Sequence, residues 1–180
     1  GITRLINALN DCSITALNVG YDTVWTTSHQ TCTQKQVKLL ATVLATNSTL
    51  ISLGISGWSV SDGDLHCAFP QNKTLTSLDV SKSKLSVPGA LDLLQRAPLL
   101  WMYNCSQLSS ERAVDEMQSV GQALSDNSTL SMCTFWAHPL RIQELKTASV
   151  IDLADKHLQT GDHVAIAALI KHNQNLVTFD

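Results

Sequence analysis

Serine, histidine and aspartate all occur in this chain, but not in the pattern that a hydrolytic enzyme needs. A serine nucleophile at a strand-to-helix turn requires G-x-S-x-G, because the glycines allow the strained turn that exposes the hydroxyl. That pattern is absent, and the eight glycines form no glycine-rich loop that could cradle a phosphate. The sequence therefore predicts that the protein is not an enzyme and carries no cofactor.

Histidine and cysteine side chains could hold a metal ion only if three or four of them converged. The six histidines and five cysteines show no H-x-x-x-H, H-E-x-x-H or C-x-x-C spacing, and the His66-Cys67 pair is too small a cluster. We predict no metal site. The odd number and wide spacing of the cysteines favour reduced, mostly buried thiols.

Composition predicts one folded domain over residues 1–180, since 44% of the residues are hydrophobic and only 15% are charged. The net charge is −3 and no basic block occurs, which argues against a nucleic-acid partner. The apolar run at residues 164–170 is far shorter than the ~20 residues of a membrane span. The first residues lack a secretory-signal layout. We predict a cytoplasmic protein, or an effector delivered into a host cytoplasm, and an extracellular location stays open.

A short string recurs along the chain: an asparagine, two small or polar residues, and a leucine that opens an alternating apolar run. Its copies are Asn47-Ser-Thr-Leu50, Asn72-Lys-Thr-Leu75, Asn127-Ser-Thr-Leu130 and Asn173-Gln-Asn-Leu176. If this leucine is counted as position 1, apolar residues occupy positions 1, 4 and 6 of each copy, and often position 11. The alternation from 4 to 6 predicts a strand, and the residue at 11 returns to the core.

Between these strands the apolar residues recur with the period of a helix. The segments are residues 36–45, 89–96, 110–125 and 161–171. Strand, turn and helix in repetition predict an α/β protein with a parallel sheet and helices on its other side. Strands are expected to start at residues 14, 50, 75, 99, 130, 148 and 176, which makes about seven irregular repeats.

Residues 72–85 and 150–162 resemble the L-x-x-L-x-L-x-x-N-x-L unit of the leucine-rich-repeat family, specifically its ribonuclease-inhibitor-like subtype. The resemblance implies a horseshoe solenoid with the sheet on the concave face and the helices on the convex face. It also implies a protein–protein interaction module that binds a partner through the concave face. Two alternatives are a regulatory domain of a larger sensor, effector or GTPase-regulating protein, and a self-associating structural module.

The chain departs from this family pattern in three places. The ninth position of each unit never holds the family's asparagine, whose side chain forms a ladder of hydrogen bonds between neighbouring turns. We therefore expect this ladder to be weakened, and we expect Trp58 to be unable to replace the asparagine. Only residues 141–147 remain for the helical segment between the fifth and sixth expected strands. The last unit stops at Asp180, so we expect a fragment of a longer chain or an uncapped edge through which copies could associate.

The outward positions of the strands supply the candidate partner-binding residues: Trp101, Tyr103, Met132, Trp136, Asp79 and Asp152. Aromatic and methionine side chains on neighbouring strands form the kind of cluster that dominates protein interfaces. In a second register, Leu100, Trp101 and Tyr103 point inward and the aromatic residues belong to the core. The sequence leaves both registers open.

Four N-x-[ST] sequons occur, at Asn47, Asn72, Asn104 and Asn127. Such sequons can accept a glycan in an extracellular protein. Three of them coincide with the repeated asparagine string, so the repeat alone accounts for them. Glycosylation stays open on sequence grounds.

Overall fold

A computed structural model describes residues 1–20, 32–68, 71–94, 99–102, 105, 113–134, 139–154, 156, 158 and 160–179. Within these residues lie six helices and eight short strands. The helices are α1 (Ile2–Ala8), α2 (Gln34–Thr46), α3 (Val87–Leu94), α4 (Ala113–Asp126), α5 (Ile142–Thr147) and α6 (Thr160–Ile170). The strands are β1 (Ala16–Asn18), β2 (Ser52–Gly54), β3 (Ser77–Asp79), β4 (Leu99–Trp101), β5 (Met132–Thr134), β6 (Pro139–Arg141), β7 (Val150–Ile151) and β8 (Thr178–Phe179).

The first five strands form a parallel sheet whose middle residues point into the core. In register across the sheet these are Leu17, Leu53, Leu78, Leu100 and Cys133. All are buried except Leu17, which is half-buried in the first strand. The expected α/β architecture, a mostly parallel sheet packed with helices, is confirmed.

The helices cover the buried side of the sheet and share one core with it. Helix α2 begins at a capping box, in which the Thr33 N–H donates to Gln36 Oε1 at 2.8 Å and the Gln36 N–H donates to Thr33 Oγ1 at 3.4 Å. Its buried face presents Val37, Leu40 and Leu44 at helical spacing. The described helices, of which the longest has 14 residues, all fall short of the length and apolarity that a bilayer crossing requires.

The recurring asparagine ties each repeat to the end of an earlier helix. Asn72 Nδ2 donates to the carbonyls of Leu44 and Asn47, at 2.7 and 3.0 Å. Its Oδ1 accepts from the backbone N–H groups of Thr74 and Leu75, at 3.0 and 2.8 Å. The side chain thus satisfies a helix-end carbonyl, which has no partner inside its own helix, and fixes the turn into the strand.

The same link recurs at three other asparagines among the described residues, and we call this set the asparagine ladder. The other donors are Asn47 to the Leu9 carbonyl (2.7 Å), Asn127 to the Leu94 carbonyl, and Asn173 to the Leu145 carbonyl (3.1 Å). The first link reaches α1, a helix that the repeat pattern did not predict. A glycan would replace one N–H of the nitrogen that carries these bonds at Asn47, Asn72 or Asn127. Asn104 lies outside the described residues.

The ninth positions form a second set of links between repeats, and the expectation about Trp58 was wrong. Trp58 is 1% exposed, and its Nε1–H donates to the Val19 carbonyl of the first repeat at 3.1 Å. Two repeats on, the Cys105 thiol donates to the Val80 carbonyl at 3.5 Å and lies 3.3 Å from Ser83 Oγ. An indole or a thiol can replace the family's amide here, because only one donor is needed.

The expected single parallel sheet of seven strands was also wrong. Strand β6 pairs antiparallel with β5, and β7 and β8 form a separate two-stranded parallel sheet. Pro139 opens β6, and a residue without an N–H is tolerated at the start of an edge strand. By occupying the free edge of β5, β6 takes the position that the next parallel strand would fill.

The segment that leads into β7, the strand of the sixth repeat, is also shorter than the segment that leads into β2. Asn173 donates to the carbonyls of Leu145 and Ala148, as Asn72 does to those of Leu44 and Asn47, so Ala148 takes the place of Asn47 in the ladder. Asn47 precedes its strand by five residues and Ala148 by two. The missing three residues remove the turn that leads the other strands into the main sheet.

Helix packing joins the two sheets. Helix α4 packs on α3 and, more extensively, on α6. An added Cβ at Gly121 of α4 would lie 2.4 Å from Ala168 Cβ of α6, so these two helices are in close contact there. Glycine is therefore required at this crossing.

Candidate functional site

The outer face of the β1–β5 sheet carries two rows of side chains, one on each side of the buried middle row. The row at the carboxyl ends of the strands runs through Asn18, Gly54, Asp79 and Trp101. The row at the amino ends runs through Ala16, Ser52 and Ser77. Neighbouring parallel strands lie ~4.8 Å apart, so successive members of a row are close enough to touch one ligand.

These rows enclose an open depression of about 310 Å³, which we call the sheet-face depression. Its lining comprises Ala16, Leu17, Asn18, Ser52, Leu53, Gly54, Ser77, Asp79 and Trp101. The floor is shallow because Ser52, Gly54 and Ser77 are small, and Ser52 Oγ lies 3.3 Å from Ser77 Oγ. The walls are the Asn18 amide at one end and the Trp101 ring at the other.

Gly54 lies directly beneath the Asn18 wall. A Cβ at Gly54 would lie 2.7 Å from Asn18 Oδ1, so only glycine leaves the amide in this place. Asn18 Oδ1 also accepts from the Gly20 N–H at 3.0 Å. The hydrogen bond from Gly20 therefore holds the Asn18 amide in place, and the missing side chain at Gly54 leaves room for it.

The register of β4 resolves the two alternatives for Trp101. Leu100 and Met102 are 1% and 0% exposed, whereas Trp101 is half-buried and lines the depression. Trp101 thus lies on the outer face, as the first register expects. However, Leu99 pairs with Ser77, two positions later in the unit than expected, and in this register Cys105 is buried.

Asp79 lies beside Trp101 in the register and is the one charged residue in the described part of the depression's lining. Its Oδ1 accepts from the Ser81 N–H at 2.9 Å, which orients the carboxylate at the strand end. The pKa of the Cys105 thiol is raised, first because burial disfavours the thiolate and also because the Asp79 charge lies nearby. Cys105 accordingly belongs to the core, and the exposed chemistry of this face comes from Asp79 and Trp101.

Met132 and Asp152, the other predicted site residues that the structure describes, do not join this depression. Met132 is half-buried on β5, in the row that contains Ser77, one strand beyond Trp101. Thr134, on the same strand, occupies an outward position yet is only 7% exposed, and its Oγ1 has no hydrogen-bond partner among the residues that the structure describes. Tyr103 and Trp136 lie outside the described residues.

Asp152 lies apart from the depression because the sheet is broken. It is exposed after β7, where its Oδ1 accepts from the Ala154 N–H at 2.9 Å, the same turn that Asp79 makes. It lines a second depression of about 440 Å³ between β6, α5 and β7. This second depression is lined by Pro139, Leu140, Arg141, Glu144, Leu145, Ile151, Asp152, Leu153 and Lys156. Its charges are mixed, and Arg141 Nη1 contacts Glu144 Oε2 at 3.4 Å.

Sequence reasoning missed this second depression because β6 was not expected. The sheet-face depression, in contrast, was partly readable, since Asp79 and Ser77 were placed outward by the repeat. Among the residues that the structure describes, no three histidine, cysteine or acidic side chains converge as a metal site would require.

The fold and this face together define an α/β repeat protein with a mostly parallel sheet and an aromatic–acidic depression on its outer side. No protein-family profile matches the chain, and no curated protein matches it in sequence. Solved structures do match. The actin-binding site 2 domain of leiomodin-1 has a TM-score of 0.60 and 16% identity, covering 96% of this chain and 88% of that chain. The C-terminal domain of tropomodulin from Caenorhabditis elegans has a TM-score of 0.58 and 14% identity, covering 96% and 92%.

These neighbours correct the expected subtype. The chain shares a leucine-rich-repeat-like fold with the tropomodulin and leiomodin domains, and the assignment to the ribonuclease-inhibitor-like subtype was wrong. The physical reason is that the few residues behind that assignment describe a single strand and turn. The antiparallel β6, the divided sheet and the ninth-position Trp58 do not follow the regular unit that the assignment assumed.

Proposed function

We propose that this chain is a protein-binding module whose partner contacts the outer face of the β1–β5 sheet. The observation that carries the proposal is the position of Trp101, a large aromatic side chain left half-buried at the wall of an open depression. Indole rings bury a large area at low entropic cost and often anchor interfaces. In this proposal the strands line the concave side of a curved stack, and the module acts in the cytoplasm.

Met132 extends the proposed contact surface to the next strand. It lies on the same outer face as Trp101 and is half-buried, so a partner seated on Trp101 could cover it as well. Tyr103, Trp136 and Asp152 remain predictions as contact residues. The centre of the proposed surface is thus the pair of strands β3 and β4, with Met132 at its edge.

The proposal can be tested by placing a photo-crosslinking amino acid at Ser77, in the floor of the depression. A matched control carries the same crosslinker at Lys38, which is exposed on α2, on the helical side of the molecule. We expect a partner to crosslink at position 77 and not at position 38, and Trp101→Ala to abolish the product. Crosslinking from position 38 alone would show that the partner uses the helices instead.

Actin is the first partner to try, because the leiomodin-1 domain that shares this fold over 96% of the chain is named as an actin-binding site. Co-sedimentation with purified actin filaments and a pull-down with actin monomers would test both forms. Binding that Trp101→Ala weakens would identify actin as the partner of this face. Absence of binding to either form would remove actin and leave the crosslinking test to define another partner.

Self-association is a second candidate function, and it has its own observation. Val177, just before β8, is 83% exposed, Phe179 of β8 is 48% exposed and Val150 of β7 is 58% exposed. Exposed apolar side chains at the edge of a sheet favour pairing with another chain. Sedimentation equilibrium over a hundredfold range of concentration would reveal it, with Val177→Lys as the variant that should prevent it. A constant monomer mass would rule this function out.

A further inference from the structure

The sheet-face depression joins an aromatic ring and a carboxylate at one point of the surface. Asp79 and Trp101 are direct register partners on neighbouring strands and point to the same face. The two side chains are therefore separated by about one strand spacing, ~4.8 Å. A group that stacks on the indole can also reach the carboxylate without any movement of the sheet.

The charge of the residues at this point favours a positively charged ligand. Among the described lining residues Asp79 carries the one charge, and no described lysine or arginine contributes to the lining. The hydrogen bond from the Ser81 N–H fixes one carboxylate oxygen, so the group is oriented before any ligand arrives. Since an indole face also attracts cations, the aromatic ring and the carboxylate favour the same charge.

The shape of the depression favours a flat group with several donors. Ser52 and Ser77 add hydroxyl oxygens to the floor, the Asn18 amide forms the opposite wall, and the small serines keep the floor clear. The volume of about 310 Å³ lies at the lower end of ligand pockets, enough for one inserted side chain. A guanidinium group carries five N–H donors in one plane, so it can stack on the ring and donate to the carboxylate together.

We infer that the Asp79–Trp101 pair receives an arginine side chain of the partner protein. This inference rests on the proposed function, because it names the partner group that occupies the proposed surface. The guanidinium stacks on Trp101 and donates to Asp79 and the serine hydroxyls. A lysine ammonium, which is a compact and strongly hydrated charge, binds the same place more weakly because it cannot stack.

The test uses small probes and the whole chain. Nα-acetyl-arginine-N-methylamide is titrated while the Trp101 indole N–H resonance is followed by NMR. The citrulline analogue, with nearly the same shape and no charge, is the matched probe. We expect a saturable shift with the arginine probe and none with citrulline. Equal responses to both would overturn the inference, because the site would then not recognise the charge.

Two variants test whether the arginine probe binds at Asp79. Asp79→Asn keeps an oxygen that can accept from the Ser81 N–H, so the turn is retained while the charge is lost. Asp126→Asn removes the same charge from the end of α4, on the helical side. We expect Asp79→Asn to weaken the arginine probe by about tenfold or more and Asp126→Asn to leave its affinity unchanged. Unchanged affinity in Asp79→Asn would refute the role of the carboxylate.

The crosslinking result separates this inference from the proposed function. A partner that crosslinks at Ser77, combined with no response to the arginine probe, overturns the inference while the proposed function stands. A response to the probe without any partner at Ser77 overturns the proposed function, and the assignment of a partner's arginine is lost with it. Both results together support both statements, and Asp79→Asn should then also weaken the partner's binding.

Discussion

Removal of one asparagine of the ladder should destabilise the protein more than its half-buried position suggests. In Asn72→Ala the carbonyls of Leu44 and Asn47 lose their donor, and the N–H groups of Thr74 and Leu75 lose their acceptor. Each such hydrogen bond contributes ~1 kcal/mol net. Water can replace part of the loss at a half-buried site, so we expect the free energy of unfolding to fall by about 2–4 kcal/mol.

The measurement is urea unfolding followed by circular dichroism, with a thermal melt as the second readout. The midpoint should fall while the slope with urea stays constant, and Tm should drop by roughly 5–15 °C for a domain of this size. Asn7→Ala, at an exposed position of α1, serves as the control and should change stability by less than about 0.5 kcal/mol. Asn173→Ala removes three bonds from the last link and should cost less than Asn72→Ala. If Asn72→Ala costs no more than Asn7→Ala, the ladder does not hold the repeats together.

Four further predictions concern the core. Gly121→Ala should destabilise the protein by about 1–3 kcal/mol in urea unfolding, because the new methyl group collides with Ala168, and adding Ala168→Gly should recover part of the loss. Equal stability of the single and double variants would contradict this contact. Trp58→Phe should cost about 1–3 kcal/mol by the same assay, since the Val19 carbonyl loses the indole donor; an unchanged midpoint would show that the bond contributes nothing. The pKa of the Cys133 thiol is raised well above its ordinary value by burial, so a maleimide should label it only after unfolding. The same raised pKa means that the unfolded chain ionises first, so stability should fall as the pH rises above the ordinary thiol pKa, and the Cys133→Ala variant should lose less of its stability over that range.

The parts of the fold that depend on local periodicity could be predicted from the sequence. Alternation marked Leu53 and Leu78 as buried strand residues, and helical spacing located α2 to within two residues at its start. Strand β4 was harder, because Leu99 and Leu100 are both apolar and alternation alone does not choose between them. Only pairing with Ser77 in the neighbouring strand fixes that register.

The features that depend on distant contacts were not predictable. Residues 139–141 show no alternation, and β6 exists because the edge of β5 is free to pair with it. The donor role of Trp58 depends on a carbonyl 39 positions away in the chain. For the site, the repeat placed Asp79 and Trp101 on one face, but it also placed Asp152 there. The division of the sheet separates Asp152 from Asp79 and Trp101, and no local sequence pattern indicates this division.

The same division has a consequence for how the chain can vary in length. Between β6 and β7 no strand register is shared, and among the described residues the two sheets are joined through the packing of α4 on α6. An insertion or deletion near the exposed Ser149 would therefore leave the pairing of β1–β5 unshifted. Elsewhere in the main sheet, an added residue within a strand would turn its buried row outward. We expect a change of length at this junction to disturb the bonds from the Val177 and Thr178 N–H groups to the Ser149 carbonyl, but to leave the first five strands intact.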